Sequence, residues 1–312
     1  MSINIIKATW IVMFGKEQIT VVDDGLLLLA PAKINLSLLV AGKRPDGFHE
    51  IETIMAKVNL FDEIFIEQGV RGGIELICKG PHLAPEGREN LAYKACEMLL
   101  KSCGSKADIK ITLTKNIPAG AGLGSASSDA AATLTGVSKF LQLPVEPQKL
   151  HEIATNLGSD VPFFLDGPLA FCTGNGEKIK KIDKNFDFSA LLILPNVSVS
   201  TKRVYDNYRD NRDYYEKLRV QINSYIQKNR IDSVSKMCAN MLEKSCFGLY
   251  KELVELKAEI ESSEIGPLCL SGSGSAMFYI IDDKKVEKVR EIQRNLQEKL
   301  DCNSIIVSNN RW

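Results

Sequence analysis

Residues 109–134 read Ile109-Lys110-Ile111-Thr112-Leu113-Thr114-Lys115-Asn116-Ile117-Pro118-Ala119-Gly120-Ala121-Gly122-Leu123-Gly124-Ser125-Ala126-Ser127-Ser128-Asp129-Ala130-Ala131-Ala132-Thr133-Leu134. Apolar and polar residues alternate at its start, the period of a strand. Glycines recur at 120, 122 and 124, and the alanine-rich run from Asp129 is strongly helical. The unit is therefore a strand, a glycine loop and a helix. A phosphate tail needs several N–H donors nearby and no side chains in the way, and a glycine loop opening onto a helix N-terminus supplies both. Ser125, Ser127 and Ser128 add hydroxyls beside the first helical turn. The same residues also suit a plain tight turn in which Ser127 or Ser128 caps the helix. A Walker A loop would need a Lys before Ser or Thr, and the spacing breaks the G-x-G-x-x-G dinucleotide pattern. A P-loop NTPase and a Rossmann dehydrogenase are both disfavoured.

Upstream of this unit lie strand-like stretches near 26–41, 52–59, 62–68 and 73–79, then a helix over 90–100 that stops at Gly104. Downstream come a short strand near 190–195, a polar helical region from 201 to about 264 and two apolar runs flanking a small-residue loop over 268–280. A charged helix near 283–300 and a last strand near 303–308 follow. Sheet-heavy early and helix-heavy later, the pattern predicts an α+β protein of two domains, with the boundary between 165 and 195. Residues 1–25 carry alternating stretches, Ile3–Ile6 and Ile19–Val22, that read as extra strands or as sequence ahead of a later start such as Met13.

Lys+Arg and Asp+Glu both number 39, so no global field exists to hold a polyanion or an anionic membrane, and phosphate chemistry must come from a local site. No apolar run is long enough to span a bilayer. The eight cysteines are scattered, without a C-x-x-C pair or clustering with the three histidines, which argues against zinc. They read as small buried thiols of a reducing compartment, the cytoplasm, rather than as a disulfide framework. The mixed-sign stretch 201–235 reads as a solvated helix face rather than a nucleic-acid surface.

Pro31-Ala32-Lys33-Ile34-Asn35-Leu36 places Lys33 and Asn35 two apart in an apolar strand, on one face. A lysine snorkelling from a sheet edge would also account for Lys33. The strand runs into Pro45-Asp46-Gly47-Phe48-His49, a turn presenting an aromatic beside a histidine. Together with Pro118 to Ser128 and with Leu270-Ser271-Gly272-Ser273-Gly274-Ser275-Ala276, this stretch resembles the three motifs of the GHMP small-molecule kinases, from residue 26 to the C-terminus. Gly158-Ser159-Asp160-Val161-Pro162-Phe163-Phe164 and the pair Phe48-His49 resemble those members whose acceptor carries a cytidine diphosphate group.

The resemblance implies the two-domain GHMP kinase fold: a ribosomal protein S5 domain 2-like N-terminal domain with a left-handed crossover, a ferredoxin-like C-terminal domain, and the active site between them. The expected division is 1–25 as an extension, 26–180 as the ATP-binding domain and 181–312 as the C-terminal domain. It implies ATP as phosphoryl donor, Mg²⁺, and an alcohol as acceptor. By resemblance Asp160 is the base or orienting carboxylate for that hydroxyl, and Lys33 stabilises both Asp160 and the developing charge. Pro118, Ala119, Gly120, Ala121, Gly122, Leu123, Gly124, Ser125, Ala126, Ser127 and Ser128 would hold ATP. Asn35, Phe48, His49 and Tyr205 would hold the substrate, beside the third-motif loop Ser271, Gly272, Ser273, Gly274. From the residues alone, Asp160 also reads as a helix cap and Tyr205 as helix packing. No carboxylate can be named as a metal ligand; Ser128 is one candidate donor. The expected partner is the small-molecule substrate, with neither nucleic acid nor membrane, for a monomer or homodimer. Two departures stand out: Ser125-Ala126 in place of the usual glycines, and residues 1–25 ahead of the first motif. A GHMP kinase for another alcohol, such as homoserine or mevalonate, and a non-catalytic sensor are the competing readings.

Overall fold

The structure is a computed structural model, which describes residues 19–309 apart from 71 and 183–185. In chain order the elements are β1 (Ile19–Val22), β2 (Gly25–Lys43), β3 (His49–Gln68), β4 (Ile74–Lys79), α1 (Leu91–Ser102), β5 (Ile109–Thr114), α2 (Ser125–Phe140), α3 (Pro147–Leu157), α4 (Val161–Leu165), β6 (Leu169–Gly174) and β7 (Lys178–Lys181). There follow β8 (Ser189–Leu194), α5 (Thr201–Asp206), α6 (Arg212–Gln227), α7 (Ile231–Lys236), β9 (Ala239–Asn240), α8 (Glu243–Leu249), α9 (Lys251–Ser262), β10 (Cys269–Leu270), β11 (Met277–Ile280), α10 (Val286–Lys299) and β12 (Asn303–Ser308).

The long strands β2 and β3 form the spine of an eight-stranded sheet ordered β1-β2-β3-β5-β4. One half of β3 pairs with β5 and the other with β6, so the sheet forks, and β9 returns from the second half of the chain to pair with β2. The second sheet is antiparallel in the order β10-β11-β8-β12, with helices between β8 and β10 and between β11 and β12; this is the ferredoxin-like order. Residues 30 to 40 of β2 are buried on both faces. One face packs with α1, α2 and α4 through Leu28, Ile64, Ile111, Leu99 and Leu134; the other joins the second sheet through Ile34, Leu38, Leu192 and Phe278.

Several expectations change. The strands expected at 52–59 and 62–68 are one strand, because the charge at Asp62 is not a turn: it is fully buried and its carboxylate accepts from Asn116 N at 2.6 Å and Ile117 N at 2.8 Å. A two-residue bulge beside it, where Pro31 faces Phe61 and Ala32 faces Val58, bends the ladder instead. The helical region 201–264 is five helices interrupted by β9, and 147–181 contributes α3, α4, β6 and β7. Residues 19–22 form β1 on the edge of β2, while Ile3–Ile6 lies outside the described residues. The cysteine reading is corrected at one pair. Cys238 and Cys269 form a disulfide, their Cα atoms 4.6 Å apart although 31 residues separate them, because β9 and β10 are drawn together. The other six are free.

Candidate active site

Lys33 stands at the centre of the site because β2 buries it. Its Nζ donates to Asn35 Oδ1 at 2.5 Å and to Gly122 O at 2.9 Å, and lies 3.7 Å from Asp160 Oδ2. Lys33 is 4% exposed, so the snorkelling reading fails. Burial pulls its pKa below the ordinary lysine value, and the Asp160 carboxylate opposes that pull. Asn35 lies on the same face, as the strand period requires, and is itself buried. Its carboxamide accepts from Lys33 and donates to Thr53 Oγ1 at 2.8 Å, so it brackets the lysine; its polar atoms point into the protein rather than toward a substrate tail.

Asp160 precedes α4, and its side chain caps nothing. Val161 N donates to Gly158 O, and Pro162 has no N–H to offer, so the first turn of this short helix makes little call on a capping carboxylate. The carboxylate is left for Lys33 and remains one-third exposed.

The glycine loop crosses directly over this pair. Lys33 N donates to Leu123 O at 2.9 Å. At Gly124, φ is +71°, and a Cβ would stand 2.9 Å from the Phe164 ring and 3.0 Å from Lys33 Cγ. At Gly122, φ is +76°, and a Cβ would lie 2.2 Å from Ser271 O, so only glycine lets the two loops meet. Gly124 is the N-cap of α2 and no side chain caps the helix, so its first-turn amides have no side-chain acceptor and the helix dipole favours an anion there. This overturns the capping alternative for Ser127 and Ser128, which lie within the first turn.

The Ser125 hydroxyl is taken up inside the protein. Its hydroxyl donates to Asp62 Oδ2 at 2.8 Å and accepts from Lys115 Nζ, which also donates to Asp62 and, at 2.6 Å, to Asp129 Oδ2. This buried knot anchors the end of β5 to the start of α2, and gives a physical role to Ser125 in place of a glycine. Burial and the neighbouring Asp62 charge push the Asp129 carboxyl up to about 8. Ser128 Oγ is buried without a partner.

The third loop closes the opposite side. Ser271 Oγ donates to Gly122 O at 3.0 Å, Ala276 N donates to Ala121 O at 3.0 Å, and Asn35 N donates to Ser271 Oγ at 3.4 Å. Asn240 on β9 holds this loop by donating to Leu270 O and Gly272 O at 2.9 and 2.8 Å, and the Thr201 and Ser273 hydroxyls are 2.8 Å apart. The three sequence motifs thus meet at Gly122.

At the mouth, the β2–β3 hairpin presents His49 to α5. The His49 and Tyr205 rings are 5.1 Å apart and tilted by 31°, and Tyr208 meets His49 edge-on at 5.9 Å. Burial lowers the pKa of His49, with Lys43 reinforcing the shift, which favours the neutral imidazole. Burial raises that of the Tyr205 phenol, helped by Asp160. Phe48 is 58% exposed.

The arrangement brings together a glycine loop at a helix N-terminus, a buried cation and a part-exposed carboxylate, with an aromatic cluster near enough for Asp160 to act on the Tyr205 phenol. The GHMP kinase N-terminal family description matches residues 90–168 and the C-terminal one residues 222–300. The chain is 37% identical over 276 residues to the 4-diphosphocytidyl-2-C-methyl-D-erythritol kinase of Clostridium botulinum (strain Loch Maree / Type A3), covering 88% of this chain and 96% of the relative. The chain belongs to the GHMP kinases. This membership makes it a small-molecule kinase with ATP as donor. Another relative of the same name, from Chloroherpeton thalassium, is 37% identical over 85% of this chain and 93% of its own length. A crystal structure of a 4-(cytidine 5'-diphospho)-2C-methyl-D-erythritol kinase superposes with a TM-score of 0.72 at 30% identity, over 92% of this chain and 100% of that one. A homoserine kinase from Cytophaga hutchinsonii superposes equally well, at 0.72, but at 17% identity it shares the fold alone.

Within this GHMP kinase, sequence reading missed Lys115, Asp62, Asp129, Tyr208, Thr53 and Asn240. Lys115 had a signal, a charge directly closing an alternating strand, but its two carboxylate partners come from β3 and α2. Tyr208 had none beyond its three-residue spacing from Tyr205.

Proposed function

We propose that this GHMP kinase transfers the γ-phosphoryl group of ATP to the 2-hydroxyl of 4-diphosphocytidyl-2-C-methyl-D-erythritol, giving the 2-phosphate and ADP in the non-mevalonate route to isoprenoid precursors. The observation that carries it is Lys33 Nζ, within reach of both Asp160 and the glycine loop, with Tyr205 of the aromatic cluster close enough to feel the Asp160 charge. The named relatives support the choice of acceptor.

In this reading the amides opening α2, together with the loop from Pro118 to Ser128, receive the triphosphate, and the dipole of α2 favours its charge. Asp160 accepts a hydrogen bond from the acceptor hydroxyl and aligns it; as the bond to phosphorus forms, its proton passes to that carboxylate. Lys33 holds the carboxylate in place and sets positive charge where the transferred group concentrates negative charge. Phe48 and Tyr205 are the two walls of a slot for the cytosine ring, the His49 imidazole beside Tyr205 bonds the edge of the base, and Asn35 serves by fixing Lys33. Ser271, Gly272, Ser273 and Gly274 wall the cleft. Mg²⁺ neutralises phosphate charge when bound. The orphan hydroxyl of Ser128 would be its protein donor, since Lys115 already engages the Asp129 carboxylate. We assign ATP binding to residues 26–180, with 181–312 contributing Tyr205 and the third loop. We place the protein in the cytoplasm, where its phosphoryl donor ATP is found; among the described residues no helix is long and apolar enough to cross a membrane.

The test is ADP release with ATP and Mg²⁺, comparing 4-diphosphocytidyl-2-C-methyl-D-erythritol, homoserine, mevalonate and no acceptor. Release with the cytidyl compound alone is expected. Release with another alcohol would keep the kinase and discard the aromatic slot as a base site.

A further inference from the structure

A second lysine lies buried beside the first. Lys57 on β3 is the cross-strand partner of Lys33 in the β2–β3 register and is also only 4% exposed. Burying an ammonium is costly unless its donors are satisfied. Its Nζ donates to Phe164 O at 3.0 Å and to Asp166 O at 2.6 Å, the carbonyls that end α4, and lies 5.7 Å from the centre of the Phe163 ring. Cations favour such a helix terminus because its last carbonyls lack intrahelical partners. Lys57 N also donates to Pro168 O at 2.8 Å, securing the segment just beyond the helix. The Asp166 carboxylate, for its part, is engaged by Lys181 Nζ at 3.0 Å, with His151 Nε2 at 3.7 Å. Lys57 therefore grips backbone rather than a carboxylate of its own.

The helix it grips has Asp160 at its other end. α4 has five residues, so its ends are only about 7.5 Å apart at 1.5 Å per residue. At its N-terminus the helix has no side-chain cap, and Pro162 removes a donor there. Phe164, whose carbonyl Lys57 takes, packs its ring over Gly124 beside the Lys33 side chain. One grip thus sets both the carboxylate and the ring that borders the glycine loop.

We propose that Lys57 is a positioning residue for phosphoryl transfer: by clamping the C-terminal end of α4 it holds Asp160 against Lys33. It touches neither substrate and acts through the helix. Burial pulls the Lys57 pKa down to about 8, with Asp166 opposing the shift.

This inference rests on the catalytic reading of Asp160, and a double-mutant cycle separates the two. Single-turnover transfer from labelled ATP is measured for wild type, Lys57→Met, Asp160→Asn and the pair, with melting temperature recorded for each. Lys57→Met is expected to slow transfer roughly tenfold or more while leaving both KM values within about twofold. In the Asp160→Asn background the same change should slow transfer no further, although it lowers the melting temperature equally in both backgrounds. If Lys57→Met does not fold, Lys57→Gln, whose shorter uncharged side chain keeps an NH₂ group for the carbonyls, takes its place in the cycle with the same expectation at a smaller factor. Wild-type transfer in the Lys57 variant, or the same fractional loss in both backgrounds, would reduce Lys57 to a structural anchor. Wild-type transfer in Asp160→Asn alone would instead remove the role of Asp160, and the proposal with it.

Discussion

Lys33 Nζ lies 3.7 Å from Asp160 Oδ2, the lysine sealed at 4% exposure and the aspartate open at 32%. The cation is held by the protein, while its counter-charge reaches the cleft. Such a pair is poised to orient a hydroxyl and to respond when charge develops there.

Asp160→Asn and Lys33→Met should each lower kcat by roughly 10²–10⁴. Circular dichroism should report the native fold in both. Lys33→Met also leaves Asn35 Oδ1 without its donor, at a cost of about 1–3 kcal/mol for a buried unpaired group, whereas Gly122 O keeps the Ser271 hydroxyl. Turnover at the wild-type rate in both variants would remove these two residues from the chemistry.

Gly122→Ala tests the junction of the loops. The added methyl would meet Ser271 O at 2.2 Å in a conformation that favours glycine, so the glycine loop and the third-motif loop must separate. A loss of stability of at least about 1–3 kcal/mol and a raised KM for ATP are expected. Denaturant unfolding and initial rates at varied ATP check both; an unchanged KM would mean that the loop tolerates the separation.

The aromatic slot predicts selective losses. His49→Ala and Tyr205→Ala should each raise KM for the cytidyl substrate roughly fivefold, matching a ring contact worth about 1 kcal/mol, without changing KM for ATP. Phe48→Ala should have a smaller effect in the same direction, its ring being the exposed one. Equal effects on the two substrates would point to a general disturbance of the cleft.

The buried knot at Lys115 carries a pH signature. The folded Asp129 carboxyl is raised to about 8 from an ordinary 3.8, so the folded chain binds this proton more tightly than the unfolded one. The associated stability is complete below the unfolded value and is lost as pH rises through about 8. Urea unfolding at pH 5, 6, 7 and 8 should therefore show wild type losing stability relative to Asp129→Asn with each step. A constant difference between the two would place the proton elsewhere.

What was legible in the chain was local. The two-residue period put Lys33 and Asn35 on one face, and the hydrogen bond between them follows. Alternation marked β5 and the glycines marked the loop, because strand period and left-handed backbone are properties of a few consecutive residues. The break expected between 59 and 62 failed for the same reason: nothing local shows that Asp62 is buried in the ladder by Lys115 and the amides of 116 and 117. The polar helical region expected over 201–264 is helical, but its interruption by β9 was not legible because that strand is set by pairing with the distant β2.

The sequence by itself therefore determined the motifs, the face each side chain takes and, by resemblance, the kinase family. Only the tertiary structure decided which of those faces meet. Asn35 and Ser271 are 236 residues apart and touch because β2 lies between the two halves of the core, where burying both of its faces draws the second sheet against the first. Asp160 reaches Lys33, and Cys238 reaches Cys269, by the same long-range packing. Local pattern specifies what each element presents; the burial of apolar area between elements distant in the chain selects the partners.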